Sequence, residues 1–280
     1  MFNIPFIYRG GFDNTGTLPT FGSATPILWV DASKSIYSDY GTTPATINSH
    51  VKQWNDQTGY HNNLTATTLN SPIFSATTFS PSGSSSTIPY IEVNDLSAQY
   101  MAAPRTTSLQ TISSGLTLFI VFKKNPNRTW SSGAPIIEFN STWSAESEGF
   151  GLDGDSSPTT LNFWYRNASV NTTSILVPWG SGGVDANKFF YYTFKLSAGT
   201  MTGYVGQTLK TTGSAIGSNK NMQPVASAAK FYVGGGFNGT VFAQSSPIDV
   251  AEVILYNGAI PTADLPSIWN YLRQKYGFTS

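Results

Sequence analysis

The 280-residue chain contains no cysteine, which excludes disulfides and every thiolate metal site or nucleophile. Histidine is almost absent: only His50 and His61 occur. A His-rich zinc centre is therefore not expected. A Ser-His-acid triad would have to use one of these two, and neither accompanies a nucleophile-elbow sequence. Charge is also scarce. Asp, Glu, Lys and Arg make up 11% of the chain, against about a quarter in typical soluble proteins. The 15 basic residues balance the 15 acidic ones, and no basic run stands out. Counterion release, which drives nucleic-acid binding, has no cationic cluster to work through. No run approaches the ~20 apolar residues of a membrane helix. The opening MFNIPFIYRGGFDNTG lacks a charged segment followed by an unbroken apolar stretch, so it does not read as a secretory signal. We therefore expect neither a nucleic-acid partner nor membrane insertion. Near-zero net charge also removes long-range repulsion between copies and permits dense self-packing.

What the chain does have is apolar and aromatic material, 40% and 14% of its residues, enough for a large core. From Ile27 onward, short apolar runs alternate with Gly, Pro, Ser and Asn turns. Candidate strands are Ile27–Asp31, Tyr90–Val93, Leu116–Lys123, Pro135–Phe139, Leu161–Tyr165, Phe189–Leu196, Thr202–Val205, Lys230–Val233 and Ile248–Tyr256. β-branched and aromatic residues dominate them, as buried strands require. Many short strands between turn signals predict an all-β sandwich or barrel. Phe74–Ser86 and Trp143–Pro158 read as loops. One helix is predicted near the end, with Thr262 as N-cap, Asp264 in its first turn and Pro266 early. Leu265, Ile268, Trp269, Leu272 and Tyr276 form one apolar face, and Gly277 is the stop.

Residues 1–25 read as an arm. Gly10, Gly11, Gly16, Pro19 and Gly22 interrupt any period, yet Phe2, Ile4, Phe6, Ile7 and Tyr8 are too apolar for a free tail. Either the arm folds onto its own sandwich as an edge strand, or it docks on a neighbouring subunit; the second reading predicts a homo-oligomer or assembly with other structural proteins.

Three stretches resemble the bacterial and viral concanavalin A-like, laminin-G-like jelly-roll family. Pro26-Ile27-Leu28-Trp29-Val30-Asp31-Ala32-Ser33 is similar to that family's first strand. Val51-Lys52-Gln53-Trp54-Asn55-Asp56-Gln57-Thr58-Gly59, running on to Asn62, is similar to its W-x-D-x-S-G segment, with Thr58 where Ser is usual. Val250-Ala251-Glu252-Val253 through Tyr256, with the ending Tyr271-Leu272-Arg273-Gln274-Lys275-Tyr276-Gly277, is its most specific match. The resemblance spans about residues 26–277. It implies a two-sheet antiparallel β-sandwich over residues 26–280 with one short C-terminal α-helix. Trp29 and Trp54 read as core anchors. Asp31 and Asp56 each follow a Trp by two positions, where a carboxylate can accept backbone N–H bonds and fix a turn. The resemblance also admits Ca²⁺ at Asp31 and Asp56, an ion that takes about six or more oxygens; no other cofactor is expected. Glu252 reads as a structural hydrogen-bond acceptor.

The same superfamily holds glycoside hydrolases, which need paired carboxylates on one strand face. That pattern is missing. Glu146/Glu148 and Asp153/Asp155 have the spacing but sit among Ser, Gly and Pro. A non-enzyme is therefore expected. By analogy with jelly rolls on virus particles, the first functional expectation is a virion structural protein: a capsid-decoration, head-fibre or tail-associated subunit. The alternative is a carbohydrate-binding, lectin-like module of a bacterial surface or exported protein, located outside the cell or on its surface. For a glycan, Trp130, Trp143 and Trp179 are the loop aromatics expected to stack on sugar rings. Trp164 and Tyr165 are adjacent on a strand, so only one of them faces the core.

Overall fold

A computed structural model describes residues 17–66, 71–79, 86–94, 99–109, 115–125, 134–140, 149–154, 159–166, 172–179, 188–214, 230–237 and 242–278. The expected arm residues Phe2, Ile4, Phe6, Ile7 and Tyr8 lie outside them. The described chain folds as a two-sheet antiparallel sandwich with one helix on its outside. The first sheet runs, in spatial order, β15 (Thr208–Ser214), β14 (Thr200–Val205), β13 (Phe190–Ser197), β8 (Gly115–Lys124), β19 (Ile248–Asn257), β6 (Ser86–Val93) and β5 (Ile73–Phe79). β1 (Thr25–Asp31) also pairs with β19, beyond the short stretch that β6 occupies. The second sheet runs β12 (Thr172–Pro178), β11 (Thr160–Arg166), β10 (Gly149–Gly154), β9 (Pro135–Asn140), β16 (Lys230–Val233), β7 (Met101–Pro104), β4 (Leu64–Thr65), β3 (Gln53–Trp54) and β2 (Ile36–Tyr37). A small hairpin, β17 (Gly235–Phe237) and β18 (Phe242–Ser245), pairs with itself.

Two apolar cores follow from strand alternation. Between the sheets lie Leu118, Ile120 and Phe122 of β8 and Val253 and Leu255 of β19, facing Ile137, Phe139, Phe150, Leu152 and Tyr165. Phe163 and Phe194 stack there at 5.0 Å. The intervening side chains of the first sheet, among them Trp29, Phe119, Val121, Ile254 and Tyr256, meet helix α1 (Leu265–Tyr276) in a second core. Trp54 belongs to the inner core and Trp29 to the outer one, both fully packed as expected.

One bulge decides which groups meet the helix. Val250 and Val253 both face the inner core, although a strict period of two would put them on opposite faces. The pairing of β19 with β8 shifts between Val250 and Glu252, so Ala251 is the extra residue. The shift turns Glu252 outward, where it bonds Tyr271 and Tyr276 of α1. Without it a carboxylate would point into the apolar space between the sheets.

Several boundaries differ from the sequence reading. Phe74–Ser86, read as loop, contains β5 and the start of β6, which pair in regular register; its Thr and Ser content hid a strand at the sheet's edge. β10 lies inside the expected loop Trp143–Pro158. Its Phe150 and Leu152 point inward, while Gly149, Gly151 and Gly154 masked the alternation. The helix starts after Asp264 rather than Thr262, and Asp264 makes no side-chain cap bond. The Thr262 hydroxyl is instead 2.8 Å from the buried Lys195 ammonium. Gly277 stops the helix with φ 71°, a conformation that favours glycine. Finally, packing begins before Pro26: Leu18 and Ala24 are buried, Phe21 contacts Tyr256, and the Tyr256 hydroxyl donates to the Pro19 carbonyl at 3.1 Å.

Candidate functional site

The residues that carry the family resemblance build the scaffold. Asp56 accepts the backbone N–H groups of Trp29 (2.9 Å), Thr58 (3.0 Å) and Asn62 (2.9 Å), and the Thr58 hydroxyl (2.6 Å). Asn62 in turn donates to the Ile27 carbonyl at 2.5 Å and to Ser108 at 2.8 Å. The segment from Trp54 to Asn62 is thereby latched onto β1. Asp31 accepts the Ser33 N–H (2.8 Å) and hydroxyl (2.7 Å) and faces Lys275 at 2.6 Å. Asp56 thus accepts four protein donors, while Asp31 accepts two at Oδ1 and pairs with Lys275 at Oδ2. Among the described residues, no cluster of His, Asp or Glu is placed to hold a metal.

Glu252 accepts the Trp29 indole N–H (2.6 Å), the Tyr271 hydroxyl (2.8 Å), the Tyr276 hydroxyl (2.8 Å) and the Lys275 ammonium (2.8 Å). Burial pushes its carboxyl up, and the Asp31 charge adds to this against the pull of Lys275. Burial acts on Asp31 in the same direction, but Lys275 and Ser33 outweigh it and hold Asp31 below the usual range. Burial also opposes the Lys275 charge, and the two carboxylates outweigh it, so that group is raised.

Of the aromatics expected to hold a sugar, Trp130 and Trp143 lie outside the described residues. Trp179 is 2% exposed and packs against Phe122 and Tyr192 in the inner core, so it offers no face to a ligand. Strand β11 supplies a different indole. Phe163 and Tyr165 point into the core, which turns Asn162, Trp164 and Arg166 to the outer face of the second sheet. Cross-strand register then lines up Ser174, Trp164, Gly151, Glu138, Tyr232, Ala102, Thr65, Gln53 and Tyr37 directly opposite one another. At the usual strand spacing this row is roughly 40 Å long.

The middle of the row is roofed. Gly236 of the hairpin sits against the Glu138 carboxylate, so closely that a side chain there would strike it. Tyr232 is buried and meets the Tyr100 ring at 5.7 Å. The β11–β12 end is open. Trp164 is half-buried, with its indole laid over Gly151, where an added Cβ would come within 2.5 Å of the ring. The Arg166 guanidinium is 5.9 Å from the Trp164 ring centre. Ser174 is exposed beside it, and Leu176, opposite Asn162, is 49% exposed. A flat aromatic face bordered by an amide, a hydroxyl and a guanidinium can stack on a sugar ring and bond its hydroxyls.

A second surface feature lies beside β1. A cavity of about 250 Å³ is lined by Leu18, Pro26, Gln57, Thr58 and Tyr60, with further threonines and no charged residue. Tyr60 stands 50% exposed at its wall.

A third feature is electrostatic. Glu92, Asp249 and Lys123 lie directly opposite one another across β6, β19 and β8. Burial pushes the Asp249 carboxyl up to about 6, against the pull of Lys123 at 2.9 Å and with added repulsion from Glu92. A carboxyl raised in the folded state binds its proton more tightly there. Its contribution to stability is complete below the unfolded value and is lost as pH rises through about 6. The stability of the wild type relative to Asp249→Asn should therefore decline from pH 4 to pH 7 in urea titrations. A difference that grows over that interval would contradict the assignment.

No protein-family model matches the sequence, and no curated protein matches it either. Solved structures do match in shape. The binding domain of botulinum neurotoxin serotype G aligns with a TM-score of 0.58 at 12% identity, covering 89% of this chain and 51% of that one. Trypanosoma rangeli sialidase in complex with sialic acid aligns at 0.56 and 13% identity, covering 94% of this chain and 34% of that one. The binding domain of Paraclostridial Mosquitocidal Protein 1 aligns at 0.50 and 11% identity, covering 78% and 49%. The chain thus spans between a third and about half of the length of these solved chains. At such identities the likeness establishes the sandwich fold alone.

Proposed function

We propose that this domain is a non-catalytic glycan-binding module, and that its ligand lies on the open end of the second sheet's outer face. The observation that carries the proposal is Trp164: a half-buried indole packed against Gly151, bordered by Arg166 and Ser174, on a strand whose neighbouring residues are locked in the core. Preorganised aromatic faces bind with little loss of side-chain freedom. The fold neighbours lend support, since two are binding domains, one of them of a neurotoxin, and one was solved with sialic acid. An exported or cell-surface setting suits a polar, weakly charged chain. The virion role expected by analogy draws no support from these comparisons.

The test is a glycan array on the purified chain, followed by titration of the best ligand. Trp164→Ala should weaken binding about tenfold or more, as loss of one aromatic anchor does. Tyr60→Ala should leave it unchanged. Wild-type affinity in Trp164→Ala, with loss in Tyr60→Ala or on replacing Trp130 and Trp143, would refute this location. Hydrolysis of the bound glycan would refute the non-catalytic reading.

A further inference from the structure

Lys275 sits between two carboxylates in a place nearly closed to water. Its Nζ lies 2.6 Å from Asp31 Oδ2 and 2.8 Å from Glu252 Oε2. Asp31 is 0% and Glu252 1% exposed. The two carboxylates are directly opposite in the β1–β19 register, beneath α1. Aromatic groups wall the site: the ammonium is 4.9 Å from the Tyr276 ring centre and 5.4 Å from that of Tyr271, and Trp29 bonds Glu252. The only other cation near Asp31 among the described residues is Lys34, whose Nζ is 4.0 Å from Oδ2 and whose side chain is 45% exposed.

An ordinary ion pair leaves two things unexplained. First, one buried ammonium between two carboxylates carries an excess negative charge, which a low-dielectric site tolerates poorly. Second, Lys275 approaches Asp31 Oδ2 at 2.6 Å but outside hydrogen-bond geometry, so that oxygen has no hydrogen-bond donor. The other oxygen, Oδ1, accepts both the N–H and the hydroxyl of Ser33. One carboxyl oxygen is thus held by two donors while the other is pressed against an amine.

We propose that Lys275 and Asp31 join in an intramolecular isopeptide bond, with Glu252 relaying the proton. The step condenses an amine and a carboxylic acid into an amide and one water. The amine and the acid supply every atom of that water, and the relay needs one further proton, which solvent supplies and the step does not consume. Glu252, whose carboxyl burial raises, takes up one proton. Transfer of the Lys275 ammonium proton to Asp31 then leaves three neutral groups, the state that burial favours. Nζ attacks Cγ of Asp31, and the new Nζ–Cγ bond forms. Charge develops on Oδ1, where the two Ser33 donors already point, as in an oxyanion hole. Glu252 gives its own proton to Oδ2 and takes one from Nζ at Oε2, so it ends the step protonated as it began. The Cγ–Oδ2 bond breaks and water leaves. Fixed proximity of the reacting groups replaces an encounter in solution, and exclusion of water disfavours the reverse reaction.

The bond would tie the first strand to the last helix and close a ring around almost the whole domain. Cross-links that close long loops restrict the unfolded chain most. In a chain without cysteine it supplies the covalent closure that disulfides give elsewhere.

The experiment is intact-mass spectrometry of the full, folded chain with peptide mapping. The wild type should be one water lighter than its sequence mass, and a digest should yield a branched peptide containing Asp31 and Lys275. Lys275→Met and Asp31→Ala should have their full sequence masses. Glu252→Gln should also retain its water. A Glu252→Gln protein as light as the wild type would remove Glu252 from the reaction. Should the variants fail to fold, the wild type decides alone: a full sequence mass with separate linear peptides overturns the proposal.

Discussion

Glu252→Ala should cost about 3–5 kcal/mol, the range seen when one partner of a buried charge cluster is removed. The reason lies in what Glu252 satisfies. The Trp29 indole N–H, the Tyr271 and Tyr276 hydroxyls and the Lys275 ammonium all donate to it, and all come from the interface of β1 with α1. Truncation leaves those donors facing a cavity. A single buried donor without a partner costs roughly 1–3 kcal/mol, so even partial rescue by entering water leaves a large deficit. Most domains have only about 5–15 kcal/mol in total. The variant should lose a large share of its stability in urea unfolding, and its near-ultraviolet dichroism should report loosened Trp29 packing. The figure covers the non-covalent contacts alone, and loss of an Asp31–Lys275 bond would add to it. Glu252→Gln, which keeps the shape and the bonds at Oε1, should be milder. Equal stabilities of Glu252→Ala and the wild type would mean that Glu252 does not hold the helix to the sheet.

The fold was legible wherever one residue pattern determined one structure. Every strand expected from β-branched and aromatic runs is a strand, because those runs bury at least one full face. β8 is the clearest case, with Leu118, Ile120 and Phe122 in the inner core and Phe119 and Val121 in the outer one. The C-terminal helix was legible from its apolar face and its Gly277 stop. What stayed hidden was set by partners distant in sequence. β5 is partly polar and takes its form from pairing with β6. β10 has glycines in half of its positions, and Gly151 is small because an indole from β11 lies on it. The bulge at Ala251 leaves no local mark, yet it decides that Glu252 faces the helix.

The candidate site was half legible for the same reason. Alternation in Leu161-Asn162-Phe163-Trp164-Tyr165-Arg166 was enough to place one of Trp164 and Tyr165 outside. Only the register shows that Trp164 is the one, and that Gly151 and Ser174 flank it. Trp179 shows the opposite error. It follows Pro178 and precedes glycine, which reads as an exposed loop, yet the end of β12 carries it between Phe122 and Tyr192. Turn-like neighbours describe the backbone and say little about where a large side chain goes.

Trp269→Ala should be the other severe variant, at about 3–5 kcal/mol, as for other large-to-small core changes. Trp269 is 6% exposed on the face of α1 that meets the first sheet. It rests on a directly opposed cross-strand pair, Thr193 of β13 and Tyr204 of β14. Its indole N–H donates to the Thr193 hydroxyl at 2.9 Å, and its ring lies 5.3 Å from that of Tyr204. Truncation therefore opens a cavity between helix and sheet and removes a donor from a buried hydroxyl. Trp269→Phe separates the two effects. It keeps most of the apolar volume but not the N–H, so it should cost about 1–3 kcal/mol, near the value of one lost buried hydrogen bond. Thr193→Val should cost about the same, and the double variant Trp269→Phe/Thr193→Val should cost less than the sum of the two, since each removes the same bond. Full additivity would show that the Trp269–Thr193 bond contributes nothing. A Trp269→Ala cost below about 1 kcal/mol would show that the helix is not a packed third layer, because a fully buried indole cannot be removed so cheaply.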